Sequence, residues 1–194
     1  MALVLGLGNP GERYALTRHN VGFRVLDELA RRHGVRATER TPEYVARETE
    51  VRERRLALVA PLTFMNRSGD ALATWLERHA AEETVLLVVV DDVYLPVGTV
   101  RLKAQGSSGG HRGLEAIEMA LGSREYDRLR IGVGAGISAD LRRHVLEAPS
   151  SEEAKAIEEA IRVAADAVEC WLGEGILAAM NRFNRSAGKE VSES

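Results

Sequence analysis

The chain has 194 residues, 45% hydrophobic and 28% charged, which suits one medium-sized globular domain with its own core and excludes a disordered, collagenous or fibrous chain. The longest apolar run, residues 85–90, is far short of the roughly 20 residues that cross a bilayer, no basic cleavable leader opens the chain, and the only cysteine is Cys170, so a cytoplasmic protein without membrane contact, disulfide or multi-cysteine metal site is expected. The net charge of −3 is uneven, because residues 148–194 carry nine carboxylates against five cations and the preceding residues are left at +1, which argues against a nonspecific nucleic-acid coat.

The apolar run at 3–5 enters Gly6-Leu7-Gly8-Asn9-Pro10-Gly11, the pattern of a buried strand followed by a tight loop, with irregular chain expected through Asn20. Apolar residues at helical spacing then predict a helix over 21–33, stopped by Gly34. Two strands, 44–51 and 56–60, flank a charged turn at 52–55 and read as a hairpin. Residues 61–69 form a loop opening an amphipathic helix through Leu72, Trp75, Leu76 and His79. The β-branched run 85–90 reads as a central strand covered on both faces, ending in Asp91-Asp92. A strand through Val100 and Leu102 leads to the glycine-rich loop 106–113, a short helix and a strand at 129–133. A long helix over about 152–172 and a second piece near 176–183 close the chain. The simplest architecture is one α/β domain over residues 1–186, a mixed, mostly parallel twisted sheet flanked by helices, with 187–194 as a frayed tail.

Several residues have two readings when taken alone. Gly6-x-Gly8-x-x-Gly11 matches the dinucleotide fingerprint, but Pro10 offers no N–H and the next helix starts ten residues late, so a loop presenting Asn9 is the better reading. His19, in irregular chain before a helix, is a catalytic histidine or a surface cap. Asp91, at the edge where α/β sheets bind ligands, orients an imidazole or merely ends a strand. Asn66 offers an amide N–H to an oxyanion or marks a helix entry. The loop 106–113 is no P-loop; its amides and Arg112 hold an anion or form a flexible lid. Lys103, Arg128 and Arg130 form a phosphate clamp or an ordinary solvated face. No metal-binding motif is present.

Six motifs in this order resemble the bacterial peptidyl-tRNA hydrolase family: Gly6-Leu7-Gly8-Asn9-Pro10-Gly11-x-x-Tyr14, Thr17-Arg18-His19-Asn20-Val21-Gly22, Pro61-x-Thr63-Phe64-Met65-Asn66-x-Ser68-Gly69, Asp91-Asp92-x-x-Leu95-Pro96-x-Gly98, Gly109-Gly110-His111-x-Gly113-Leu114 and Arg128-Leu129-Arg130-Ile131-Gly132-Val133-Gly134. The resemblance implies cleavage of the ester joining a peptide to the 3′-terminal ribose of tRNA, by a monomer without metal or cofactor. It makes His19 the general base, Asp91 the group orienting it, and Asn9 and Asn66 the holders of peptide and ester carbonyl. Tyr14 and Met65 would line the cleft, His111 would contact substrate, and Lys103 and Arg130 would grip a tRNA phosphate.

Two departures from the family pattern stand out. Arg112 replaces the usual asparagine after Gly-Gly-His, and Ala135-Gly136-Ile137, opening a segment read as a loop over 135–148, replaces the common His-Pro-Gly. The competing readings are a noncatalytic RNA-binding relative of the same fold and, more remotely, a nucleotide-dependent oxidoreductase using the loop at 6–11.

Overall fold

In the computed structural model, which describes residues 1–80, 83–134 and 140–184, alternation along two strands organises the interior. On β1 (Ala2–Gly6) Leu3 and Leu5 face one core while Val4 faces the other, and on β5 (Val85–Asp92) Val88 and Val90 oppose Leu87 and Val89. Strands buried on both faces must be apolar at nearly every position, which explains the continuous runs. With β2 (Glu39–Arg40), β3 (Tyr44–Val51), β4 (Arg54–Pro61), β6 (Val100–Lys103) and β7 (Asp127–Gly132) they form a seven-stranded sheet ordered β2-β3-β4-β1-β5-β7-β6. The central β4-β1-β5-β7 pairings are parallel, and the outer ones antiparallel. The expected mixed sheet is therefore present in a single α/β fold, parallel through its centre and antiparallel at both edges.

One face is covered by α1 (Val21–His33), α5 (Ser151–Glu174) and α6 (Ile176–Phe183), the other by α2 (Ser68–Arg78) and α3 (Arg112–Leu121). The start of α1 lies so close to the end of β1 that a Cβ on Gly22 would come within 2.4 Å of the Leu7 backbone. On the other face a Cβ on Gly113 would meet Met65 Sδ at 2.6 Å and Leu7 at 2.8 Å. These two glycines let both helices begin against the same point of the sheet edge.

The structure departs from the sequence expectations in four places. The stretch before Asn20 is not irregular but holds two 3-10 turns, Glu12–Tyr14 and Arg18–Asn20. The hairpin turn is only Arg52-Glu53, both at positive φ (51° and 63°), as a tight turn matching strand twist requires, so β4 starts at Arg54. A six-residue helix, α4 (Leu141–Leu146), occupies part of the segment read as loop, capped by Asp140, whose side chain accepts from the Arg143 N–H. Strand β2 also went unanticipated. The atypical triplet 135–137 and the tail 187–194 lie outside the described residues. Among the described residues no helix is long and apolar enough to cross a membrane.

Candidate active site

The C-terminal ends of the parallel strands open into a cleft of about 450 Å³, the position expected for a ligand site in an α/β sheet. At its floor lies Asp91, the penultimate residue of β5, which is 2% exposed. The 3-10 turn Arg18–Asn20 brings His19 to it, with Nδ1 at 2.9 and 3.0 Å from the two carboxylate oxygens. From the opposite side comes His111, the N-cap of α3, with Nε2 at 3.0 Å from Asp91 Oδ1.

The hydrogen bonds determine where the protons sit. His111 Nδ1 accepts from the backbone N–H groups of Gly113 (3.2 Å) and Leu114 (3.4 Å), so its proton is on Nε2 and is donated to Asp91. His19 likewise donates from Nδ1, which leaves the lone pair of Nε2 directed away from the carboxylate. Among the described residues that nitrogen has no protein partner, and His19 lines the cleft. Burial would push the Asp91 carboxyl up, but the positive charge that His19 and His111 carry when protonated, together with their hydrogen bonds, outweighs it and holds the group well below the ordinary carboxylate value. The acid thus stays ionised while buried.

Asn9 is 7% exposed and fixed by its surroundings. Its Oδ1 accepts from the Met65 N–H at 2.9 Å, its own N–H donates to Asn20 Oδ1 at 2.9 Å, and Asn20 Nδ2 donates back to the Asn9 carbonyl at 2.9 Å. With Oδ1 committed as acceptor, the Nδ2 group remains as a donor at the cleft, which Asn9 lines. Exposed Asn66, on the 3-10 turn Met65–Arg67, and half-buried Tyr14 also line it; Arg13 stacks over the Tyr14 ring at 4.6 Å. Met65 is 5% exposed and contributes to the wall.

The basic residues divide into three groups. Arg112, the first residue of α3, is exposed and lines the cleft. Arg130 also lines it, its Nε 3.2 Å from Asp92 Oδ2. Lys103 stands exposed on β6, outside the cleft, with Arg101 and not itself in register with Arg130. Arg128 departs from the clamp reading: it is 1% exposed, stacks on Tyr126 at 3.9 Å, donates to the Arg124 carbonyl and lies 3.5 Å from Glu118. Its register on β7 carries it beneath α3, so it serves the interior.

His19, Asp91 and His111 are also the one group among the described residues whose ligand atoms could converge on a metal ion. The donor set does not fit one as it stands. A metal on His111 Nε2 would move the proton to Nδ1, where it would oppose the N–H groups of Gly113 and Leu114. The loop at 6–11 likewise lacks the fingerprint's helix, since a 3-10 turn follows it and α1 starts at Val21. Sequence reasoning missed Asn20, exposed Tyr94 and the α4 side chains Leu141, Arg142, Val145 and Leu146, all of which line or brace the cleft. Tyr94 and α4 bear no motif; only the adjacency of Asn20 to His19 signalled a role.

The sequence model for "Peptidyl-tRNA hydrolase" matches residues 3–192. Curated peptidyl-tRNA hydrolases of Syntrophomonas wolfei and Roseiflexus castenholzii are 45% and 47% identical, over 95% and 100% of this chain and 100% and 94% of theirs. The crystal structure of peptidyl-tRNA hydrolase from Acinetobacter baumannii superimposes with a TM-score of 0.87 at 32% identity, covering 95% of this chain and 94% of that one. With a full-length sequence match and the same fold, the chain belongs to the peptidyl-tRNA hydrolase family.

Proposed function

We propose that the cleft hydrolyses the ester between peptide and tRNA with His19 as general base. The observation that carries this reading is the commitment of both imidazoles to Asp91, which leaves His19 Nε2 alone with its lone pair in the cleft. In this reaction Nε2 takes a proton from water as the oxygen attacks the ester carbonyl. The imidazolium that forms is stabilised by the buried Asp91 carboxylate, and then returns the proton to the departing ribose oxygen. The Asn9 Nδ2 group and the Asn66 amide supply hydrogen bonds to peptide and developing oxyanion. Tyr14 and Met65 shape the wall, and the accessible edge of His111 touches substrate while its Nε2 braces Asp91. Arg112, Arg130 and, further out, Lys103 attract tRNA phosphates, which makes substrate binding salt-dependent.

Single-turnover hydrolysis of a peptidyl-tRNA by wild type and His19→Ala tests this, with an aminoacyl-tRNA bearing a free α-amine as control. Fast wild-type cleavage, lost in the variant and absent on the control, is the expected outcome. Tight tRNA binding without wild-type cleavage would move the chain to the RNA-binding class.

A further inference from the structure

Beside the proposed base sits a buried cation that the reaction as described does not use. Arg18 is 7% exposed, and a guanidinium cannot shed its charge, so burial demands matching acceptors. Its two terminal nitrogens find them in one short segment, while Nε has no partner among the described residues: Nη1 donates to the carbonyls of His144 (3.2 Å), Glu147 (3.3 Å) and Ala148 (3.2 Å). Nη2 donates to Glu153 Oε2 at 2.8 Å, the oxygen that also accepts from the Ser150 N–H in the capping box of α5. The Arg18 backbone N–H adds a bond to the Glu147 carbonyl at 3.3 Å.

These bonds connect two parts of the cleft. α4, whose only buried residue is Val145, has little apolar burial to hold it, yet Leu141, Arg142, Val145 and Leu146 form part of the cleft wall. Arg18 fastens the chain at the end of this helix, and within the same 3-10 turn its neighbour is His19. On its other side the turn is fixed by the Asn20–Asn9 pair. We propose that Arg18 is a positioning residue for hydrolysis, holding the α4 wall and the His19 turn in one register. The inference rests on the reading of His19 as the base.

Arg18→Met and Arg18→Lys, studied beside His19→Ala, test it by steady-state kinetics on peptidyl-tRNA and by the NMR resonance of the His19 Nδ1 proton. Loss of register should lower kcat/KM of Arg18→Met by roughly 100-fold, since displacements near 1 Å can cost that much, with kcat falling, KM rising and the proton resonance broadening. Arg18→Lys should fall between, because an ammonium keeps the charge but cannot reach all four acceptors. Wild-type kinetics and an intact resonance, with only a lowered melting temperature, would overturn the inference; so would a raised KM with kcat and resonance unchanged. If Arg18→Met does not fold, Arg18→Lys decides, and a wild-type kcat there is fatal. Activity surviving in His19→Ala would instead overturn the assignment of the base.

Discussion

Two carboxylates in this molecule are each gripped by two nitrogen-bearing side chains, with opposite consequences. On α1, Glu28 accepts a bidentate pair of bonds from Arg31 (2.9 and 2.9 Å) and a third from Arg32 Nε (2.8 Å). The Arg31 and then the Arg32 hydrogen bonds lower its pKa to about 2. At the cleft floor Asp91 accepts from His19 and His111 and is likewise held below the ordinary range. Guanidinium nitrogens are all donors and never give up a proton near neutral pH, so the Glu28 cluster can only hold α1 and, through Arg32, Asp166 of α5 together. An imidazole has a second nitrogen, and His19 keeps that nitrogen for the cleft. The unused atom of the partner, more than the strength of the pairing, separates a brace from a candidate for catalysis.

The strongest way to break this comparison is His19→Ala. It removes the free Nε2 and should lower the single-turnover rate by roughly 100-fold to 10,000-fold, the usual contribution of a positioned base. Near wild-type turnover would leave the two clusters equivalent. Asp91→Asn should cost less, roughly 10-fold to 1,000-fold, because the amide oxygen can still accept from both rings but no longer stabilises imidazolium. It should also alter acid stability. A carboxyl lowered on folding stabilises the protein above its unfolded value, ordinarily 3.8, and that stabilisation is lost as pH falls through the folded value. Wild type should therefore lose stability more steeply than Asp91→Asn on acidification below 3.8, as read by unfolding midpoints. Parallel curves would show that Asp91 is not held as an ion.

Arg112→Ala gives a smaller effect and sharpens the contrast from the substrate side. Arg112 is exposed at the mouth, so its loss should raise KM several-fold and reduce the salt slope of binding by roughly one, as one phosphate contact does. The chemical step should change little. A change confined to thermal stability would show that the side chain only packs.

Local patterns made much of the scaffold legible. Apolar spacing and Gly34, found at φ 63°, predict α1 to the residue, and the all-apolar run before Asp91 predicts the central strand. His19 and Asp91 were legible as candidates because each stands at a boundary of such an element. What stayed hidden depends on contacts between distant residues. α4 is only six residues long, and its end is held by Arg18 from more than 120 residues away. The Asp91–His111 bond spans 20 residues and turns an expected substrate contact into a brace as well. Arg128 and Arg130 occupy the same strand two residues apart, yet only the placement of α3 sends one into the interior and leaves the other at the cleft.

Glu28→Gln should have the smallest effect and tests the structural half of the comparison. Arg31 lies at the surface and Glu28 and Arg32 are half-buried, so screening and side-chain entropy limit these bonds and the loss at neutral pH should stay below about 1 kcal/mol. Hydrolysis should remain at the wild-type rate, since nothing in this cluster reaches the cleft. The stabilisation that Glu28 supplies is present above its ordinary value of 4.5 and fades as pH falls towards about 2. The gap between wild type and Glu28→Gln should therefore close across that window while their activities stay equal throughout. A gap that persists below pH 2 would place the contribution of Glu28 in packing of its methylenes and not in its charge. A loss of activity would mean that the α1–α5 contact reaches His19 through the helix it precedes, and the separation between brace and catalyst would then be one of degree.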